Sequence, residues 1–377
     1  MAGSKPYGAP QIDVPVKLNV NENPYSPPDN VVQAIASAAA EAATGLNRYP
    51  DRDFLKLRAA LAAYLNSEAG LTAENGTALT AEQLWAANGS NEVMLHLFQA
   101  FGGPGHSALT FTPTYSMYPE YARNTHTEWL TVPRGPGFHI DLKTAVEEIH
   151  QKRPALVIVA SPNNPTGTAV GLPEIAALAA AGLENAATPN DPVSLVVVDE
   201  AYAEFRGRDT PSALQMLPKF PNLVVTRTMS KAFGAAGLRL GYLAANPAIV
   251  RALQLVRLPY HLSGLTQAVA LATLGEAETL HRQVSDIRAE RQLLHSWLNG
   301  QRAANGALHT TASDANFIMF GRFANANQVW RALLEQGVLV REVGPVGWLR
   351  VSIGTPAEND AFRHAMAGIL PSVQLLD

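Results

Sequence analysis

The chain contains no cysteine, which excludes disulfides, thiolate metal sites and a cysteine nucleophile and leaves a reducing cytoplasm as the simplest expectation. It also lacks any stretch near the roughly 20 apolar residues that span a bilayer, because its richest apolar runs are broken by Asp, Glu, Gly or Pro. The opening MAGSKPYGAPQIDVPVKLNV has none of the basic-then-apolar order of a secretory signal. Neither sign of charge dominates: 28 Lys and Arg stand against 32 Asp and Glu, a net charge of -4, without a long run of either. That excludes a nucleic-acid or anionic-membrane footprint and makes a small molecule the expected partner. What the chain does hold is apolar material, 47% of 377 residues against 16% charged, ample for a large core in two or three domains or one large domain with an appendage.

Several catalytic signatures are missing too. The ten histidines show no HExxH pair or close His/Asp ligand cluster, so a metal site is not expected. Neither FGGPGH nor FGAAGLRLG fits a strand-turn-helix GxGxxG followed by an acid, and there is no GxSxG elbow.

Residues 1–30 are rich in Pro and Asn and read as an extended arm; VVQAIASAAAEAA and DFLKLRAALAAYL then read as helices, the second with Phe54, Leu55, Leu57, Leu61 and Leu65 mostly on one face. Strand-like runs follow at Leu84 to Asn88, Ala108 to Thr112, Glu128 to Val132, Ala155 to Ala160, Leu195 to Asp199, Leu223 to Thr226 and Arg239 to Ala244. Several are β-branched and free of charge, as strands covered on both faces should be. This predicts an α/β fold with a mostly parallel sheet between helices. After Pro247 long helical stretches alternate with DANFIMF, GVLVREV and WLRVSIG, which suits a smaller α+β domain. The boundaries expected are an arm and first helix over 1–45, contributing to the small domain, a large domain over 46–262 and the small domain over 263–377.

Four segments carry chemistry. In LWAANGSNEVMLHLFQAF a strand runs through Gly89, Ser90 and Asn91 into a helix whose first N–H groups favour a phosphate, although an ordinary helix cap has the same pattern. VVVDEAY puts Asp199 at the carboxyl edge of the sheet, where a carboxylate fixes a metal, a sugar hydroxyl or a protonated ring nitrogen; Tyr202 lies three residues on, and an N-cap Asp with a packed Tyr is the plainer alternative. SPNNPTG holds Asn164 between prolines, a rigid amide donor or simply a loop. In TMSKAFGAAGLRLG, Lys231 follows a strand amid small residues; in a dry site its amine becomes a nucleophile or base, whereas on the surface it is a solvated cation.

Taken together, NRYPD, NGSNE, PTYSMY, SPNNPTG, VVVDEAY, TMSKAFGAAGLRLGY and LRVSIG resemble, in order and spacing, the pyridoxal-phosphate-dependent aminotransferases of the aspartate aminotransferase fold, over nearly the whole chain. The resemblance implies a three-layer αβα large domain and pyridoxal 5'-phosphate as cofactor. It implies that Lys231 holds the cofactor as a Schiff base and moves the proton, that Asp199 pairs with the ring nitrogen, that Asn164 and Tyr202 bond its phenolate oxygen and that Tyr115 stacks on the ring. The phosphate would rest on Ser90, Asn91, Ser230 and Arg239, with Tyr49 of NRYPD reaching the neighbouring subunit's phosphate in a homodimer. Arg350 would bind the carboxylate of the amino donor or 2-oxo acid.

Within that family, KLNVNENPYSPP, NRYPD, LPYHLSGLTQA and DANFIMF resemble the histidinol-phosphate aminotransferases, implying exchange between histidinol phosphate and 2-oxoglutarate, with Arg341 as a second anion-binding arginine and Tyr7 or Tyr25 closing over the substrate. The tight segment REVGPVGWLR, with its bulky Trp348, departs from the pattern and leaves aromatic amino-acid transamination or threonine-phosphate decarboxylation as alternatives.

Overall fold

A computed structural model describes residues 8–186, 188, 191–207 and 209–376. The expected strand runs all join one sheet: β1 (Leu84–Ala87), β2 (Ser107–Thr112), β3 (Glu128–Pro133), β4 (Leu156–Ala160), β5 (Leu195–Asp199), β6 (Leu223–Thr228) and β7 (Gly241–Ala245). Their order is β1-β7-β6-β5-β4-β2-β3, parallel throughout except that β7 runs antiparallel to both its neighbours. The α/β class expected from the charge-free runs is therefore the one adopted. Most boundaries move by one or two residues, and one of these shifts bears on the site: Arg239 lies outside β7, with a left-handed φ of 57°. The strand begins at Gly241, where a Cβ would collide with the backbone of Ser90, so the glycine serves strand-on-helix packing.

Flanking the sheet are α1 (Asp29–Ala43), α2 (Leu55–Ala69), α3 (Ser90–Phe101), α4 (Tyr118–Thr125), α5 (Leu142–Lys152), α6 (Leu172–Glu184) and α7 (Pro247–Val256). In α2 the buried leucines are Leu57, Leu61 and Leu65, one residue every four. Leu55 is off that stripe and 57% exposed, and Phe54 is buried just ahead of the helix. The long helical stretches after Pro247 are α8 (Gly264–Gly275) and α9 (Ala277–Asn299), followed by α10 (Ala326–Glu335) and α11 (Pro356–Ile369). Among the C-terminal strands, β8 (His309–Thr310), β9 (Phe317–Gly321), β10 (Arg341–Glu342) and β11 (Trp348–Ser352) form an antiparallel sheet in the order β8-β9-β11-β10. The arm is tied to this part of the chain: Val16–Lys17 pairs in parallel with Val338–Leu339, and the Leu18 N–H continues the ladder to the Leu339 carbonyl at 2.8 Å.

Alternation along β6 separates two kinds of chemistry. Thr226 and Thr228 point one way, and Arg227, between them, points the other, into a cluster with Glu68 (3.1 Å), Glu200 (2.7 Å) and Glu204 (3.1 Å), of which all but the slightly exposed Glu68 are fully enclosed. Three carboxylates around one guanidinium hold its pKa well up despite burial. This cluster fixes β6 and the residues next to Asp199 from beneath.

Candidate active site

The carboxyl ends of β4, β5 and β6 meet the β10–β11 hairpin and the arm around a cavity of about 500 Å³, which Lys231, Asp199, Asn164, Tyr202, Ser230, Arg239, Ser90, Asn91, Tyr115, Arg341 and Arg350 all line. Open α/β sheets bind ligands at this edge because strand ends and helix starts leave side chains and backbone donors free there.

Asp199, the last residue of β5, lies at the buried floor. Burial pushes its pKa up, while the Tyr118 hydroxyl (2.7 Å to Oδ2), the Thr226 hydroxyl (3.1 Å to Oδ1) and the Ala201 N–H favour the ionised form. A cation placed against it would remove the cost of burial. Asn164, on the loop after β4, accepts from Arg350 Nη1 at 2.6 Å and donates to the Tyr202 hydroxyl at 3.4 Å. Arg350 also donates to the Asn19 carbonyl at 2.8 Å. Its neighbour across the hairpin is Arg341, directly opposite in register, whose guanidinium reaches the Gly8 carbonyl at 3.4 Å.

Lys231 is partly buried, with its Nζ donating to the Val20 carbonyl at 3.2 Å. Burial, then repulsion from Arg350 and Arg239, opposed by Glu22, brings its pKa down to about 8. The side chain is thus held in a place where the free amine is more accessible than in a solvated lysine.

The anion-binding corner is built from backbone. Gly89 turns β1 into α3 with φ 84°, a conformation that favours glycine, and the Arg239 guanidinium occupies the space that a Cβ there would take, at the helix N-terminus. Arg239 donates to Ser230 Oγ at 3.4 Å and to the Ala236 carbonyl at 3.1 Å, both neutral acceptors. Thr228 Oγ1 donates to Ser230 Oγ at 3.0 Å, and the Tyr121 hydroxyl fixes Asn91 at 2.8 Å. A guanidinium, a hydroxyl and a helix start converge here, an arrangement that favours an anion.

Some expected residues lie elsewhere. Tyr25 does not line the cavity; burial, and then the charges of Asp286, Glu290 and Glu358, raise the pKa of its phenol. Tyr49 is 81% exposed and stacks on Tyr260, ring centroids 4.5 Å apart, at the surface of its own chain. Tyr7 lies outside the described residues. Trp348 does not reshape the cavity, because its indole packs edge-on against Phe138 at 5.8 Å; Val343 from the same turn lines the wall instead. Conversely, sequence reading passed over Tyr118, Thr226, Asn19 and Asn21. Tyr118 ends the PTYSMY motif quoted for Tyr115, and a second tyrosine at a helix start was the available signal; for the arm asparagines, NVNEN offered a cluster of amides and no direction.

Among the described residues no group of three or more His, Asp or Glu is placed to hold a metal ion, and no helix is long and apolar enough to cross a membrane. Residues 13–366 match the family described as aminotransferase class I and II, and the chain belongs to that family. It is 54% identical over 366 residues to the histidinol-phosphate aminotransferase of Thermobifida fusca (strain YX), covering 97% of this chain and 93% of that protein. Histidinol-phosphate aminotransferase 3 of Burkholderia lata is 52% identical over 364 residues, again covering 97% and 93%. In three dimensions the fold is similar to the histidinol-phosphate aminotransferase of Sinorhizobium meliloti in complex with pyridoxal-5'-phosphate, with a TM-score of 0.79 at 24% identity over 95% of this chain and 91% of that one.

Proposed function

We propose that this enzyme uses pyridoxal 5'-phosphate to move an amino group, in two half-reactions, between histidinol phosphate and 2-oxoglutarate. The observation that carries the substrate is the identity of 54% and 52%, over 97% of the chain, to two proteins named histidinol-phosphate aminotransferases. The cofactor is supported by fit: an anion-binding corner where the Arg239 guanidinium occupies the space of a Cβ at Gly89, a buried carboxylate on the floor, and between them a lysine amine with a pKa of about 8.

When bound, pyridoxal phosphate supplies an aldehyde carbon for amines and a pyridinium ring that accepts the electron pair left when a proton leaves the amino-bearing carbon. The chain's residues do the rest. Ser90, Asn91, Ser230 and Arg239 would hold the phosphate, Asp199 the ring nitrogen, Asn164 and Tyr202 the ring hydroxyl, and Tyr115 would cover the ring face. A cation at Asp199 pairs a carboxylate that burial otherwise pushes toward protonation, so the two stabilise each other's charged forms. Lys231 Nζ would take the proton from the amino-bearing carbon of the substrate and deliver it to the cofactor's own carbon, the reverse transfer serving the second half-reaction. A pKa of about 8 leaves about one amine in ten unprotonated at pH 7, against about one in several thousand for an ordinary lysine. Arg350, with Arg341 beside it, takes the anionic end of either substrate, a carboxylate in one half-reaction and a phosphate in the other.

The active unit in this reading is a cytoplasmic homodimer. Tyr49, Leu46 (57% exposed), Leu255 (86%) and Leu258 (76%) lie on two segments that the Tyr49–Tyr260 stack and the Arg257–Asp53 ion pair hold side by side, an apolar surface suited to a second copy with Tyr49 at its phosphate corner. The same reading divides the chain after residues 45 and 262, with the arm belonging to the C-terminal unit through the pairing of Val16 with Val338. Turnover of histidinol phosphate, phenylalanine and phosphothreonine with 2-oxoglutarate tests the substrate. Histidinol phosphate should be preferred in kcat/KM by orders of magnitude; preference for either of the others overturns the assignment.

A further inference from the structure

Asn21 lies on the arm, 2% exposed, and is bonded at both ends of its side chain. Its backbone N–H donates to Ser352 Oγ on β11 at 2.9 Å, and the Ser352 hydroxyl donates back to Asn21 Oδ1 at 2.9 Å. That leaves Nδ2 to donate to the Tyr202 hydroxyl at 3.0 Å. The orientation follows from chemistry: a backbone N–H only donates, so the serine proton goes to the side-chain oxygen and the amide nitrogen faces the tyrosine. Asn164 is oriented by the same logic, since Arg350 only donates and therefore takes Oδ1 at 2.6 Å, turning Nδ2 to Tyr202 at 3.4 Å.

Tyr202 thus receives N–H bonds from two amides, neither of which can accept through the nitrogen it presents. An oxygen with both acceptor positions engaged sends its own proton in a third direction, and accepting two bonds makes that proton a stronger donor. Tyr202 lines the cavity, with the Phe317 ring edge-on behind it at 5.0 Å.

We infer that Asn21 is a positioning residue which, held by Ser352, aims the Tyr202 hydroxyl proton into the cavity at the ring oxygen of the bound cofactor. The inference rests on the pyridoxal-phosphate reading given above. Its consequence is electronic. A proton donated to the ring oxygen stabilises the negative charge on that oxygen most when the neighbouring linkage to Lys231 carries no proton of its own. Strong donation from Tyr202 therefore lowers the pKa of the coloured linkage, and weakening it raises that pKa.

The test is a spectrophotometric pH titration of the cofactor-loaded protein, read without substrate. Asn21→Ala should raise the pKa of the linkage by about half a unit to one unit. Asn21→Asp should raise it at least as far, because a carboxylate accepts the tyrosine proton and draws it away from the cavity. Ser352→Ala, which leaves Asn21 in place and removes only its anchor, should produce a smaller rise in the same direction. The deciding comparison is a cycle with Tyr202→Phe, in which Asn21→Ala should add no further shift. Equal shifts in the tyrosine and phenylalanine backgrounds, or no shift with Asn21→Ala and Ser352→Ala, would overturn the inference. Failure of the wild-type protein to form a colour that depends on Lys231 would instead overturn the cofactor reading itself.

Discussion

Replacing Lys231 should stabilise the cofactor-free protein, and should do so only over part of the pH range. In the folded chain the Lys231 ammonium has been moved from water, where its pKa is 10.5, to a site where it is about 8. Below pH 8 both states carry the proton, and the fold bears the full cost of the charge, about 3 kcal/mol at about 1.4 kcal/mol per tenfold change in the proton equilibrium. Between pH 8 and 10.5 the unfolded chain holds more protons than the folded one, so stability rises with pH and the cost fades; above 10.5 it is gone. Lys231→Met removes the charge at similar volume but leaves the Val20 carbonyl without its donor at 3.2 Å, a loss of about 1 kcal/mol. The net gain at pH 7 is then about 2 kcal/mol. Unfolding entropy of about 2 cal/mol/K per residue makes this a rise of about 2 to 3 °C in Tm. Calorimetry of both cofactor-free proteins from pH 7 to above 10.5 checks it. A variant less stable at pH 7, or a difference in Tm that is flat with pH, would refute the account of the lysine as a charge held against its solvation.

Other outcomes follow from the same geometry. Arg227→Met leaves Glu204 without its ion-pair partner and Glu68 and Glu200 with Arg206 alone, at 3.0 and 3.3 Å, and should cost about 3 kcal/mol in denaturant unfolding, since removing one partner of a buried ion pair strands the other. Arg350→Lys keeps the charge and loses the fork that spans Asn164 and the Asn19 carbonyl; kcat/KM for both substrates should fall about 30-fold, equivalent to about 2 kcal/mol, and an unchanged value would remove Arg350 from substrate binding. Tyr118→Phe takes the 2.7 Å donor from Asp199 and should raise its pKa further, so that cofactor binding measured below neutral pH becomes about tenfold weaker than in wild type while the difference narrows above it.

The architecture was legible where local chemistry decides it. LVIVA and LVVVD are β-branched, free of charge and end at the sheet edge, so β4, β5 and Asp199 could be read directly. Lys231, Asn164 and Arg239 stood in turns whose composition pointed to backbone close to a ligand, and family resemblance supplied their roles. What could not be read depends on separation or direction. Asn21 matters through Ser352, 331 residues away, and no local pattern encodes such a contact. Arg239 looked like the first residue of a strand because its neighbours are strand formers, whereas the crowding of Gly241 against Ser90 sets the start two residues later. Trp348 seemed to be a pocket residue on size alone; its contact with Phe138 belongs to the tertiary fold.

The pairing of the arm with the last third of the chain fixes a timetable for synthesis. Residues 16 and 17 have no strand partner until 338 and 339 exist, and Asn21 waits for Ser352. At a ribosome's pace of about 5 to 20 residues per second the arm passes about 20 to 70 seconds as a nascent tail after it is made. The sheet that carries Lys231 and Asp199, complete by residue 245, leaves the exit tunnel well before its cover does. The cavity is therefore assembled late, when residues of the arm are drawn across the site by partners made 331 positions later.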